Sequence, residues 1–296
     1  MKASIIIVSY NTKKLTKQCV ESVLKHTKNI NFEIIIIDNH SSDGSVEMLS
    51  TLSAHNKKIK LVKLSENLGF GGANNVGIEK SAAEYVLLLN SDTIVKSNIV
   101  KEMTDWMDDH EDVGVSGCAL KNKDGSYQGS GGYFPNLINV FSWMTIQDLP
   151  LVDTFIKPFH PMKERNFQKN VSFYTTSKEI DWVTGAYMLI RRSALDKSGL
   201  FDSDYFMYTE ETDLCFRIRE AGYTIFYLPQ WEITHLGGAS STKEYAVLAE
   251  FEGVKTFFRK HYPAWQYPLL RGILKLGSLL RIIPFGKTYY KAFKSI

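Results

Sequence analysis

The sequence predicts an α/β fold in which helices cover both sides of a mostly parallel central sheet. Over the first ninety residues, short aliphatic runs alternate with segments of helical periodicity. Each run is apolar at consecutive positions, which is typical of strands buried on both faces of a parallel sheet. With 296 residues, 44% of them hydrophobic, the chain is long enough to bury the core that such a sheet requires.

The first half of the chain is expected to contain four strands and three helices. The strands are predicted at residues 4–10, 32–39, 59–64 and 85–90. The first helix, over residues 12–27, carries its apolar residues on one face. The second begins after Asp43 or Ser45, either of which can cap it, and the third follows the Gly/Asn-rich segment 66–77.

The second half continues the alternation around one irregular segment. Strands are predicted at residues 113–120, 180–192 and 223–229, and helices at residues 97–109 and 211–222. Residues 125–178 are rich in Gly, Pro and aromatic residues and show weak periodicity. A long irregular segment inside a compact domain is usually functional, so we expect a loop beside a binding site.

Polar residues follow each of the first four predicted strands. They are Ser9 to Asn11, Asp38 and Asn39, residues 67–75, and residues 90–93. Because ligands of parallel sheets bind beyond the carboxyl ends of the strands, these residues predict one site at one sheet edge.

Asp92 is the most informative of these polar residues. Asn90 lies two positions earlier, so in an extended chain both side chains point the same way and can offer oxygens to one hard cation or one ribose. A single Asp binds Mg²⁺ weakly, and substrate phosphates would have to complete its coordination. The alternative is that Asp92 only caps a turn or a helix.

Two further segments of this edge favour a ligand. Asp38 can accept hydrogen bonds from a ribose or a base N–H, or it can cap the turn that follows it. Gly69, Gly71 and Gly72 precede a helix and permit close approach of a ligand to the backbone, although they lack the spacing of a P-loop.

A second group of candidates lies beyond residue 180. Glu210, Glu211 and Asp213 cluster at a helix start, where they can complement the helix dipole or, because like charges raise a pKa, supply a general base. His235 is expected in a Gly/Ser loop, where it can complete the coordination of a metal bound by Asp92. The facing wall of the cleft is predicted to contain four residues upstream: Trp182, Thr184, Gly185 and Ala186.

The cysteine content and the lengths of the apolar runs restrict the cellular compartment in which the protein is expected. Cys19, Cys118 and Cys215 are far apart and form no C-x-x-C pair, which fits a reducing cytosol. The first apolar run is too short for a signal peptide, and no window has the roughly 18 uncharged apolar residues of a membrane span. We therefore expect a cytoplasmic protein.

The carboxyl-terminal segment 253–296 differs in charge from the rest of the chain. It has nine basic and no acidic residues, whereas the 26 basic and 32 acidic residues before it give about −6. Its apolar residues recur at helical spacing, which predicts a basic amphipathic helix on the membrane surface. Packing against the preceding domain or a second subunit, as in a homodimer, is the alternative. No nucleic-acid-binding motif is present, and we expect no such partner.

Seven ordered segments resemble a known family. They are IIIVSYNT, IIIIDNHSSDGS, ENLGFGGANNVGI, LLLNSDT, WVTGAYMLIRRSAL, GLFDSDYFMYTEETDLCFRIREAGY and ITHLGGAS. Over about residues 4–241 the chain is similar to glycosyltransferase family 2, particularly its rhamnosyltransferase-like branch. The resemblance implies a GT-A fold with a Rossmann-like sheet and inverting transfer from a nucleotide-diphospho-sugar.

The resemblance also assigns roles to residues. The nucleotide-sugar would be held by Ser9, Tyr10, Asn11, Asp38, Asn67, Gly72, Asn75, Asn90, Ser91 and Asp92. Asp92 would bind a divalent cation, Mg²⁺ or Mn²⁺, together with His235. Glu211 would be the general base where the family usually has Asp, with Glu210 and Asp213 as alternatives. Asn90 stands where the family usually has the first Asp of a D-x-D element.

These roles imply a hexosyltransferase with one catalytic domain and a carboxyl-terminal extension. Residues 1–252 would form the GT-A domain, with a nucleotide-sugar half at 1–120 and an acceptor and catalytic half at 121–252, and residues 253–296 would contact the inner face of the cell membrane. The expected reaction transfers L-rhamnose from dTDP-L-rhamnose to a saccharide or lipid-linked oligosaccharide in cell-surface polysaccharide biosynthesis. The alternatives are a UDP-hexose donor and a non-catalytic nucleotide-sugar-binding partner.

Overall fold

The computed structural model describes residues 1–147, 149, 152–161, 171–237 and 242–296. The strands are β1 (Ala3–Ser9), β2 (Phe32–Asp38), β3 (Ile59–Lys63), β4 (Tyr85–Leu89), β5 (Thr93–Ile94), β6 (Val113–Lys121), β7 (Gly131–Gly132), β8 (Lys178–Glu179), β9 (Trp182–Val183), β10 (Tyr187–Arg191) and β11 (Thr224–His235). The helices are α1 (Lys13–His26), α2 (Ser45–His55), α3 (Gly69–Glu79), α4 (Ile99–Asp108), α5 (Leu137–Met144), α6 (Val152–Phe155), α7 (Arg192–Ser198), α8 (Glu210–Glu220), α9 (Lys243–His261), α10 (Gln266–Phe285) and α11 (Lys287–Ser295), with a short 3₁₀ helix at Val171–Tyr174.

The central sheet has the strand order β3-β2-β1-β4-β10-β6-β11-β5, with β8 paired to β11. β1, β2, β3 and β4 run parallel to one another, and β6 and β11 run parallel to each other. β10 is antiparallel to β4 and β6, and β5 is antiparallel to β11. The predicted α/β class with a mostly parallel sheet is confirmed.

The register of the parallel strands brings their polar ends together. Ser9 at the end of β1 lies opposite Asp38 at the end of β2, and Asp38 lies opposite Lys63 of β3. β4 pairs with the other side of β1 and ends at Leu89, directly before Asn90. The four segments that follow these strands therefore emerge at one edge.

Both faces of the sheet are buried, which explains the continuous apolar runs. Alternate side chains of β1 point to opposite faces: Ile6 joins a core cluster with residues of α3, α8, α9 and α10, and Ile5 joins another with residues of α1, α2 and α4. Burial on both sides is what a parallel sheet flanked by helices requires.

Four predicted elements differ from the structure. The third helix, α3, begins at Gly69 inside the Gly/Asn-rich segment and does not follow it. The strand predicted at 180–192 is two strands of different sheets: β9 pairs with β7, and β10 belongs to the central sheet. Residues 184–186 between them line a cleft, and Arg192 begins α7. The strand predicted at 223–229 extends to His235, which is therefore the last residue of β11 and does not lie in a loop. The irregular segment contains β7, α5 and α6, and its residues 162–170 lie outside the described residues, as do residues 238–241 of the predicted Gly/Ser loop.

The carboxyl-terminal segment is helical and packs against the rest of the chain. The predicted boundary at residue 252 lies inside α9, whose Phe251, Val254 and Phe257 are buried. α10 contacts α5 and α9 through a face that includes Leu270 and Leu274, so part of its apolar surface is covered by the same chain. No helix among the described residues is both long and apolar enough to cross a bilayer.

Candidate active site

A cleft of about 290 Å³ opens at the carboxyl edge of the sheet. Its wall combines the ends of β1 and β4, the segment between β9 and β10, the start of α8 and the end of β11. It is lined by these predicted residues: Tyr10, Asn67, Asn90, Ser91, Asp92, Thr184, Gly185, Ala186, Glu210, Glu211 and His235. Residues separated by up to 225 positions in the sequence thus share one cavity.

Other predicted nucleotide-site residues lie outside this wall and stabilise its frame. The Ser9 and Thr16 hydroxyls hydrogen-bond at 2.9 Å and join β1 to α1. The Asn11 side chain accepts a bond from the Ser42 backbone N–H at 2.8 Å. The Asn75 side chain bonds the backbone of Phe201 in both directions, and Gly72 lies within α3 close to the side chain of Leu68.

Asp38 has one carboxylate oxygen without a partner. Its Oδ2 accepts a bond from the Ser41 N–H at 3.1 Å, whereas the buried Oδ1 has no hydrogen-bond partner among the described residues. Leaving a buried oxygen unpaired costs about 1–3 kcal/mol, and such groups in native structures often await a ligand, ion or water. Asp38 immediately precedes Asn39, which lines the cleft.

Asp92 and His235 form a pair at the centre of the cleft. His235 Nε2 lies 3.2 Å from Asp92 Oδ1 and 3.4 Å from Asn90 Nδ2. On the other side of the ring, His235 Nδ1 lies 2.7 Å from Gln128 Oε1. The Gln128 amide nitrogen donates to Asn122 and to the His235 carbonyl, so its oxygen must accept from Nδ1–H.

This hydrogen-bond pattern orients the imidazole. With Nδ1 donating to Gln128, His235 turns Nε2 towards both the Asp92 carboxylate and the amide nitrogen of Asn90, which lies 3.4 Å from Nε2 and can donate to it. An imidazole held through its other nitrogen is the usual arrangement of a metal-ligating His. Among the described residues no group of three or more His, Cys, Asp or Glu side chains could hold a metal ion, so Asp92 and His235 would need further ligands to hold one.

Glu210 and Glu211 begin α8 and differ in acidity. Burial, with repulsion from Glu211, raises the pKa of Glu210 well above its usual range. Burial also raises the pKa of Glu211, to about 6. Burial beside Glu211 thus favours the protonated form of Glu210, whereas Glu211 has the proton affinity of a useful general base near neutral pH.

Asp213 lies away from the cleft in a buried ion cluster. Its Oδ2 accepts a bond from Arg217 Nε at 2.8 Å, and its Oδ1 lies 2.7 Å from His261 Nε2 at the end of α9. Both of its oxygens are thus engaged within the fold, and Asp213 joins α8 to α9. Of the three predicted carboxylates, only Glu210 and Glu211 line the cleft.

The turn before α8 is strained and is supported by α9. Tyr208 and Thr209 both have φ of 71°, a conformation that costs non-glycine residues about 1–3 kcal/mol each. A Cβ at Gly253 of α9 would lie 2.4 Å from Thr209 Oγ1. Only glycine there lets α9 pack this closely against the turn that aims Glu210 and Glu211 into the cleft.

Asn39, which the sequence places at the sheet edge without a role, fastens the turn before α3. Its side chain donates to Asn67 Oδ1 at 2.8 Å and accepts from the Leu68 N–H at 2.9 Å. No sequence signal indicates Gln128 or Tyr208, since each reaches the site through contacts made only in the folded chain.

Comparisons with known proteins agree with this geometry. The model of the family described as "Glycosyl transferase family 2" matches residues 4–199. The chain is 26% identical over 267 residues to an N-acetylglucosaminyl-diphospho-decaprenol L-rhamnosyltransferase of Mycobacterium tuberculosis (strain ATCC 25618 / H37Rv), covering 84% of this chain and 83% of that protein. It is 25% identical over 238 residues to the rhamnosyltransferase WbbL of Escherichia coli (strain K12), covering 78% and 82%.

Two solved glycosyltransferase structures share the fold. The mannosyltransferase PcManGT from Pyrobaculum calidifontis, in complex with GDP-Man and Mn²⁺, has a TM-score of 0.61 at 14% identity over 99% of this chain and 74% of that chain. GalNAc-T7 with UDP, GalNAc and Mn²⁺ has a TM-score of 0.62 at 15% identity over 87% of this chain, and this chain spans about half of it, 48%. The predicted GT-A fold is confirmed.

Replacing Gly253 by Ala tests whether α9 supports the strained turn. The new methyl group must displace Thr209, so we expect the free energy of unfolding to fall by about 1–3 kcal/mol, measured by urea denaturation. Gly272→Ala in α10 is the control, because a Cβ there meets nothing within 4 Å. It should stabilise the protein by up to about 1 kcal/mol through helix propensity. Equal changes in the free energy of unfolding for Gly253→Ala and Gly272→Ala would contradict the role of α9 in supporting the turn.

Proposed function

The chain belongs to glycosyl transferase family 2, and we propose that it is an inverting hexosyltransferase that uses dTDP-L-rhamnose. The acceptor would be a saccharide or lipid-linked oligosaccharide of a cell-surface polysaccharide. The observation that carries this proposal is a poised carboxylate, Glu211, in the same cleft as Asp92 and His235. Two relatives named rhamnosyltransferases support L-rhamnose, and a UDP-hexose is the alternative donor.

The nucleoside would bind where β1 and β2 end. The free Oδ1 of Asp38 can accept a hydrogen bond from the imide N–H that thymine and uracil share, which would remove its unpaired state. The exposed ring of Tyr10 lines the adjacent cleft and offers a surface for a base. The sugar and diphosphate would then extend towards Asn90 and Asp92.

Asp92 and His235 fit a divalent cation, Mg²⁺ or Mn²⁺. His235 Nε2 lies 3.2 Å from Asp92 Oδ1, and Gln128 holds the imidazole in the tautomer that can coordinate. Two ligands are too few for tight binding, so the oxygens of the donor diphosphate would complete the coordination. When bound, such a cation neutralises charge on the leaving diphosphate.

Glu211 would take the proton in the transfer. An acceptor hydroxyl attacks the anomeric carbon from the face opposite the diphosphate, and its proton passes to the Glu211 carboxylate as the new C–O bond forms. The bond between the anomeric carbon and the diphosphate oxygen breaks, and its electrons leave with the nucleotide. A single displacement of this kind inverts the anomeric centre without a covalent enzyme intermediate.

The outer face of α10 supports contact with a membrane on the cytoplasmic side. Four of its exposed leucine and isoleucine side chains are spaced by seven, four and three residues and form one stripe: Leu269, Leu276, Leu280 and Ile283, with the exposed Leu279 beside them. Lys275 and Lys287 are exposed nearby, and no acidic residue follows Glu252 in the sequence. Anionic lipid fits this combination, and a second copy of the chain is the alternative partner.

The transferase proposal is tested by two neighbouring substitutions. Glu211→Gln removes the base and should lower kcat by roughly 10²–10⁴-fold while donor still binds. Glu210→Gln is the matched control: burial beside Glu211 favours the uncharged form of this carboxyl, and Gln is uncharged with the same shape, so most activity should remain. In the wild type and in Glu210→Gln, activity should fall as the pH drops through about 6, because Glu211 takes up a proton. Full activity of Glu211→Gln would contradict the role of this residue and favour a non-catalytic partner.

Donor identity is tested by thermal stabilisation with a panel of dTDP- and UDP-sugars, with and without Mg²⁺ or Mn²⁺. At 100 times its Kd a ligand adds about 2.7 kcal/mol to the free energy of unfolding, and we expect dTDP-L-rhamnose with a cation to have the largest effect. Asp92→Asn should remove only the additional stabilisation that the cation gives, whereas Asp38→Asn should weaken donor binding both with and without the cation. A larger effect of UDP-hexoses would establish the alternative donor, and no effect from any sugar would reject the donor site.

The membrane proposal is tested by co-sedimentation with phosphatidylglycerol vesicles. Reversing the charges of Lys275 and Lys287 to Glu should weaken binding at least about tenfold, since each cation near an anionic surface contributes about 1 kcal/mol. Lys14→Glu with Lys17→Glu on α1 makes the same change in net charge and should have little effect. If the two doubly substituted variants lose vesicle binding equally, binding depends on net charge alone. If neither the wild type nor the variants bind the vesicles, a second copy of the chain remains as the partner of this face.

A further inference from the structure

A second cavity, of about 380 Å³, lies beside the donor cleft. Thr184, Tyr208 and Glu211 line both cavities. The general base therefore stands in the wall between them. The volume falls within the range of about 300–1,000 Å³ that is usual for small-molecule sites.

Aromatic side chains from distant parts of the chain form the walls of this second cavity. Trp182 comes from β9, Trp143 from α5, and Tyr289 from α11 in the carboxyl-terminal segment. The Arg281 guanidinium lies 5.6 Å from the Trp143 ring and 5.5 Å from the Tyr289 ring, and it donates to the Trp143 carbonyl at 2.6 Å. The apolar faces of a pyranose ring suit such aromatic surfaces.

The polar groups of the cavity suit hydroxyls better than an anion. His160 Nε2 lies 2.5 Å from Glu250 Oε1, and both side chains remain about a quarter exposed, at 27% and 25%. Together they offer a donor and acceptors to a sugar hydroxyl. The described lining residues include the carboxylates of Glu211 and Glu250 but no Lys or Arg, so a phosphate inside the cavity would meet like charge.

We propose that this second cavity is the acceptor subsite and that it takes an uncharged sugar residue, stacked on the aromatic wall, with His160 and Glu250 bonding its hydroxyls. The inference rests on the proposed transferase function, because it needs a base that contacts the acceptor. Of the residues predicted to contact the acceptor, Trp182 and Thr184 line this cavity, whereas Gly185 and Ala186 line only the donor cleft. Any phosphate or lipid part of the acceptor would lie outside this second cavity.

The geometry explains why the base must stand between two cavities. A displacement joins an acceptor oxygen to the anomeric carbon of the donor, so one carboxylate has to reach the acceptor hydroxyl while the donor occupies its own site. Thr184 and Tyr208 bound the passage between the two ligands. His160 and Glu250 are specificity residues in this arrangement, and the proton is taken by Glu211.

The subsite is tested with methyl β-N-acetylglucosaminide as a neutral probe and N-acetylglucosamine 1-phosphate as an anionic one. Binding is measured by ligand-observed saturation-transfer NMR on the full chain in the presence of dTDP. His160→Ala and Glu250→Ala should each weaken binding of the neutral probe at least tenfold, and Glu250→Gln, which keeps the side-chain shape, should weaken it less. Glu244→Ala is the control, because this residue of the same helix pairs with Lys291 and does not line the cavity.

Each result has a defined meaning. Loss of neutral-probe binding in the His160 and Glu250 variants, with unchanged unfolding midpoints and unchanged dTDP affinity by calorimetry, supports the subsite. Unchanged probe binding in these variants, or tighter binding of the phosphorylated probe by the wild type, overturns it. If dTDP and the donor panel fail to bind while the neutral probe binds through His160 and Glu250, the proposed transferase function fails and the sugar subsite stands.

Discussion

The parallel register of β1, β2 and β4 is the constraint on which the rest of the site depends. These strands are apolar on both faces, and their burial between two layers of helices fixes where each one ends. Because the strands are parallel, their ends meet at one edge, and Asp38 and the segment carrying Asp92 reach the same cleft region without any direct interaction between them. The positions of the polar groups thus follow from the packing of apolar ones.

The carboxyl-terminal segment differs in charge from the rest of the chain, yet it is part of the same architecture. Gly253 packs against the strained turn at Thr209, and His261 binds the buried Asp213 of α8. Tyr289 then closes the second cavity from α11. The exposed apolar stripe of α10 and the wall that Tyr289 gives to the second cavity therefore belong to two helices in contact with each other, an arrangement that would suit the proposed acceptor if its sugar lies close to a membrane.

Local environment separates the roles of three carboxylates that lie within four residues. Burial beside another acid raises the pKa of Glu210 well above its usual range, burial raises the pKa of Glu211 to about 6, and Asp213 is bound by Arg217 and His261. All three are acidic residues in the first turn of α8, so their helical position is common to them. Which side of the helix each faces, and what packs there, gives one of them a pKa suited to the proposed base and makes another a structural ion pair.

The sequence by itself determined the alternation of strands and helices and the sheet edge that carries the cleft, because periodicity and strand-end polarity are local properties, and it predicted roles for Asp92, Glu211 and His235. The tertiary structure alone decided that β10 is antiparallel, that β11 continues to His235, and that Gln128 orients this histidine from 107 positions away. It also decided that Asp213 is held by His261 and that α5, α9 and α11 enclose a second cavity. Such contacts depend on how distant elements pack in three dimensions, and no local pattern of residues encodes that packing.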